Sequence, residues 1–214
     1  MEEDAQKIFD YLPINKSSFE EDYINHLWSS FLSLLNSESE EAKPFCIMPF
    51  HLLFMLSIQY KVLRIAKVKN HSYNLIYTIK SLRDDQKDLI VPNSPFVIAL
   101  LRESEIIDIF KLIKLDQNIL QSIKFLIRNR NDKLAHAKGG IDLDYQTKIN
   151  KYLDLLQLIQ NSTLSLNEKV ALRWLKESKL KKERSEFIKI HLAEEYLCMV
   201  DFENGKLVQF NEYL

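Results

Sequence analysis

Apolar residues recur at helical spacing along most of this chain, and the gaps between the runs fall at capping and breaking residues. Phe19, Tyr23, Leu27, Phe31 and Leu34 follow Ser17 and Ser18, either of which can accept a first-turn amide, so the pattern predicts an amphipathic N-terminal helix closed by the polar segment 37–43. From about Pro49 to Lys67 the apolar positions surround the axis, as in an element buried on every side. The apolar run from Phe45 to Ile58 falls short of the roughly 20 residues that span a bilayer, and Lys61 and Arg64 follow it. A central core helix is therefore expected, and no membrane partner.

A further helix opens near Asn70 or Ser72 and carries Leu75, Ile76, Ile79 and Leu82 on one side. Ser94-Pro95 supplies a cap and a first-turn proline for a helix bearing Leu100, Leu101, Ile106, Ile107, Phe110 and Ile113. Ile119, Ile123, Leu126 and Ile127 form the next stripe, whose continuation passes through Arg130 and Leu134 before Gly139-Gly140 stops it. Asp142 can cap one more helix, with Tyr145, Ile149, Tyr152, Leu153, Leu156 and Ile159 inward. After Asn161 the pattern changes: Ser165 to Glu168 has the form of a capping box for a short helix through Val170, Leu172 and Leu175. A basic cluster at Lys179, Lys181, Lys182 and Arg184 follows, then an apolar stretch from Phe187 to Leu197 and an Asn204-Gly205 hairpin signal in the last β-prone runs. The expected fold is all-α: a helical extension over 1–43, an antiparallel helical bundle over 44–161, and an appendage over 162–214 of helices ending in a β-hairpin.

Composition narrows the chemistry. A chain of 214 residues with 46% hydrophobic content can bury a substantial core, and a net charge of −1 gives no global basic field, so nucleic-acid contact must come from a local patch. Cys46 and Cys198 stand far apart without Cys/His ligand spacing, which argues against a disulfide framework and a zinc site, and no metal or other cofactor is expected. The acidic start, Met1-Glu2-Glu3-Asp4, lacks a signal-peptide pattern, and a cytoplasmic setting is expected. No Gly-rich phosphate loop or nucleophile elbow is present. His26, His51, His71 and His191 are scattered and are assigned structural or surface roles; Tyr60, Tyr73, Tyr77 and Tyr152 ride on helical stripes and are assigned to the core or its rim. The 179–184 cluster reads as a solvated helix end, with an RNA-backbone contact as its sharper alternative.

One stretch carries chemistry: Arg130-Asn131-Asp132-Lys133-Leu134-Ala135-His136. Arg130 takes the place of a core residue, and a cation on a buried stripe needs a carboxylate, a partner subunit or a phosphate beside it. A guanidinium clamps phosphate with a fixed charge, and an imidazole exchanges protons near neutral pH. Arg130-Asn131, four further residues and His136, at the end of a bundle helix and just before two glycines, resemble the Arg-(four to six residues)-His signature of the HEPN superfamily over roughly residues 44–161.

The resemblance implies a metal-independent endoribonuclease working as a symmetric homodimer, often within a toxin-antitoxin, antiviral or stress system. It casts Arg130 as the group neutralising the scissile phosphate, His136 as general acid or base for attack by the ribose 2′-hydroxyl, and Asn131 as an orienting hydrogen-bonding group. Arg128, Lys133 and Lys138 are the neighbouring candidates for RNA-backbone contact. Some toxins of the superfamily have a Tyr two residues after the His that a partner antitoxin modifies; Lys138 stands there instead. On an ideal helix Arg130 and His136 lie about 120° apart around the axis, so they converge through an irregular final turn or across a two-fold interface. The competing expectations are a catalytically silent helical dimer that binds RNA, a nucleotide or a protein partner, and a DNA-binding regulator using the C-terminal basic segment.

Overall fold

The computed structural model describes residues 2–13, 16–79, 84–132, 144–177, 198–201 and 206–209. It divides into two compact units, residues 1–12 with 16–159, and residues 13–15 with 160–214. The described part of the first is an all-helical, multi-helix bundle.

The N-terminal residues share the bundle core. Helix α1 (Glu2–Gln6) runs into a 3-10 turn over Lys7–Tyr11 and buries Ala5 and Ile8. Ser17 caps α2 (Ser18–Leu35) reciprocally: its hydroxyl accepts from the Glu20 amide at 3.3 Å, and the Glu20 carboxylate accepts from the Ser17 amide at 2.8 Å. The buried face is Ile24, Leu27, Phe31 and Leu35, rotated from the expected stripe, and Phe19 is 68% exposed. Both stripes have helical spacing and share Leu27 and Phe31, the latter packed on Phe50 at 5.3 Å; the two faces part at Ile24 and Leu35, which are buried.

Helix α3 (Ile47–Val68) begins slightly before Pro49, which sits in the first turn where its missing N–H is tolerated. Phe50, Leu53, Phe54, Leu56, Ile58, Val62 and Ile65 are buried around it. Among the described helices it alone is long and apolar enough to cross a membrane, and most of that apolar surface is covered by the bundle. In α4 (Asn70–Ile79) the inward residues are Tyr73 and Tyr77, their rings 4.9 Å apart, while Leu75 is exposed. The larger aromatic area, not the aliphatic stripe, sets the buried face.

The single helix expected after Ser94-Pro95 is broken in two. Ser94 caps α5 (Pro95–Ile98), and Arg102 then adopts an extended conformation whose amide donates to the Glu105 carboxylate at 3.1 Å, starting α6 (Glu103–Asp108). A 3-10 turn over Ile109–Ile113 follows, closed by Lys114 in the left-handed region at φ 57°. Helix α7 (Gln117–Arg130), capped by Asp116, buries Leu120, Ile123, Leu126 and Ile127.

Helix α8 (Tyr145–Glu177) buries Ile149, Tyr152, Leu153, Leu156 and Ile159 as expected, with Asp144 accepting from the Thr147 amide at 3.1 Å. It does not stop near Asn161. The helix runs through Ser165 to Glu168, so that stretch is no capping box; no glycine or proline lies between 145 and 177 to force a break. Leu82, Leu134, the Gly139-Gly140 stop, Asp142, the 179–184 cluster, the 187–197 stretch and the Asn204-Gly205 turn lie outside the described residues. Strands β1 (Cys198–Asp201) and β2 (Lys206–Gln209) pair antiparallel, Cys198 opposite Gln209 and Asp201 opposite Lys206.

Candidate functional site

Arg130 closes α7 on the same stripe as Ile123 and Ile127, and its side chain is only 14% exposed. The break at Arg102 supplies what such a cation needs. By making Glu103 the first residue of α6, with Ile106 and Ile107 buried one turn on, it turns the Glu103 carboxylate toward the same interior. Arg130 Nη2 donates to Glu103 Oε1 and also lies 2.8 Å from His51 Nε2. His51, on α3, is buried; its Nε2 is 3.1 Å from Glu103 Oε1 and its Nδ1 is 3.0 Å from the Tyr152 hydroxyl on α8. One side chain each from α3, α6, α7 and α8 thus meets in a polar knot within an apolar core.

The protonation states follow from the surroundings. Burial above all lowers the His51 pKa, and the Arg130 charge lowers it further against the opposing pull of Glu103, so the imidazole is held neutral. Burial pushes the Glu103 carboxyl up, but its contacts with His51 and Arg130 outweigh burial and hold it below the usual range. Burial raises the Tyr152 phenol well above its ordinary value, so it stays protonated. A neutral imidazole has one N–H, so Nε2 either donates to Glu103 or accepts from Arg130. Tyr152 is the adaptable member: its hydroxyl donates to Nδ1 in the first arrangement and accepts from it in the second. Both Arg130 contacts fall on Nη2, and its buried Nε–H has no partner among the described residues.

Of the other sequence candidates, Asn131 follows directly, partly buried with a helical backbone at φ −61° and ψ −47°. Arg128, about 200° around the helix from Arg130, is exposed and lines a separate groove. His136, Lys133 and Lys138 lie outside the described residues. Cys46 is buried and its thiol is pushed up to about 11 by that burial, which makes it a poor nucleophile. Among the described residues no group of three or more His, Cys, Asp or Glu side chains gathers to hold a metal.

Glu103, His51 and Tyr152 were not anticipated as partners of Arg130, although each left a trace. Glu103 precedes Ile106 and Ile107 at helical spacing, His51 interrupts the apolar run of the central helix, and Tyr152 continues the stripe of Ile149. Comparison with protein-family models, with curated proteins and with solved structures finds no match to the chain.

Proposed function

We propose that this protein is a metal-independent endoribonuclease of HEPN type, acting on RNA as a homodimer in a cytoplasmic defence, toxin-antitoxin or stress system. The observation that carries the reading is the anchoring of Arg130. The residue marked as the phosphate clamp is held at the end of α7 by Glu103 and His51, so its guanidinium is oriented before any substrate arrives. Both contacts engage one nitrogen, so the pairing does not use up the five-donor fork. His136 follows six residues later in the sequence.

In this mechanism Arg130 neutralises the scissile phosphate while His136 removes the 2′-hydroxyl proton. The 2′-oxygen forms a bond to phosphorus, the bond to the 5′-oxygen breaks, and that oxygen leaves with a proton from an imidazole of the same composite site. The products are a 2′,3′-cyclic phosphate and a 5′-hydroxyl. The test is cleavage of single-stranded RNA in EDTA by the full chain and by Arg130→Lys, which keeps the charge near Glu103 but loses the planar fork. Activity lost with unchanged thermal stability supports the clamp; full activity in Arg130→Lys contradicts it.

The same ion pair favours a second reading. An arginine 14% exposed and paired to a carboxylate can serve only to neutralise that carboxylate and pin four helices, leaving a silent RNA- or protein-binding dimer. Under that reading the wild-type chain leaves RNA intact.

A further inference from the structure

Between α7 and α8 of the bundle lies an open groove of about 810 Å³, within the size range of ligand sites. It does not involve the His51, Glu103, Arg130 and Tyr152 knot. Phe125 stands in it 63% exposed, on a helix whose other large apolar residues are mostly buried. Three cations, Lys124, Arg128 and Lys151, share the lining with one carboxylate, Asp154. Lys124 is partly offset by Asp108 at 2.8 Å, whereas Arg128 and Lys151 are exposed without a partner among the described residues. Gln121, one turn before Phe125, adds an amide able to donate and accept.

We infer that this groove is a track for single-stranded RNA, with a base stacked on Phe125 and phosphates set against Arg128 and Lys151. An exposed ring between cations offers what a single strand needs: a π-face for an unpaired base and positive charge along its backbone. A duplex has no free base face to give Phe125. The inference deepens the ribonuclease reading and rests on it for the choice of RNA over another polyanion. It places the strand on the helix that ends in Arg130 but on another of its faces, since Arg128 lies about 200° around α7 from Arg130.

The experiment is fluorescence anisotropy of a labelled 2′-O-methyl oligouridylate, which the 2′-hydroxyl route cannot cut, titrated with the full chain. Phe125→Ala is expected to weaken binding about tenfold, the contribution of one stacked base. Arg128→Gln with Lys151→Gln is expected to flatten the dependence of log K on log salt by about 1.4, two phosphate contacts at about 0.7 each. These residues are exposed, so their loss leaves the bundle folded. No binding by the wild-type chain, or equal binding by the variants, overturns the track. So does a Phe125→Ala chain that dissociates a wild-type dimer in sedimentation, since a second copy is then the occupant. Cleavage that needs Arg130 and His136 while binding ignores the groove variants overturns the track alone; groove-dependent binding without any cleavage overturns the ribonuclease reading alone.

Discussion

Glu103, the first residue of α6, and Arg130, the last of α7, form a partly buried ion pair, with His51 in contact with both. Removing the guanidinium leaves a carboxylate in the bundle without its counter-charge. Arg130→Ala is expected to cost about 2–3 kcal/mol, less than for a fully buried pair because Glu103 keeps some solvent. A urea-denaturation cycle with Glu103→Ala checks it: the double variant should be less destabilised than the sum of the singles, and simple additivity contradicts the pairing.

Acid should destabilise the bundle in two steps. The folded His51 pKa lies below its unfolded value of 6.5, so as pH falls through about 6.5 the unfolded chain takes up a proton that the folded chain refuses, and stability drops. The Glu103 pKa is also depressed; its contribution is present above about 4.5 and is lost as pH falls through its folded value. Denaturation midpoints followed downward from pH 7.5 should show the upper step in the wild-type chain and not in His51→Gln.

Tyr152→Phe removes the hydroxyl that matches either imidazole tautomer and leaves His51 Nδ1 without a partner. A loss of about 1–3 kcal/mol with unchanged helical circular dichroism is expected. Stability equal to wild type would show that the hydroxyl is not needed at Nδ1.

Lys61 is a second buried cation, 7% exposed, with its Nζ 6.0 Å from the centre of the Tyr11 ring. Burial, with Arg64 adding repulsion, brings its pKa down from 10.5 to about 7. Between those values the unfolded chain binds the proton more readily, so wild-type stability should rise from neutral pH toward about 10. Lys61→Met should flatten that rise and stabilise the protein at pH 7 by about 1–3 kcal/mol, as read by thermal denaturation.

Local features were legible in the sequence and pairings were not. Ser17 announces α2 because a cap acts on its own first turn, and the α3 residues announce a core helix because they are apolar all round. The inward face of α2 depends on its packing against another helix, α3, where Ile24 and Leu35 are buried, and so the stripe through Phe19 misleads. The break at Arg102 is invisible to periodicity, since Leu100, Ile107 and Phe110 keep helical spacing across it. At the candidate site the cation on a buried stripe called for a carboxylate, a partner subunit or a phosphate, and Glu103 supplies the carboxylate; which acidic residue would answer was beyond local reasoning, because the two meet only through the packing of α6 on α7.

The most direct test of the central claim is the chemistry of the cut ends. Single-stranded RNA incubated with the full chain should yield fragments ending in 2′,3′-cyclic phosphate, detected by mass spectrometry, and His136→Ala of equal thermal stability should yield none. Fragments carrying 5′-phosphates, or undiminished cleavage by His136→Ala, would contradict the account.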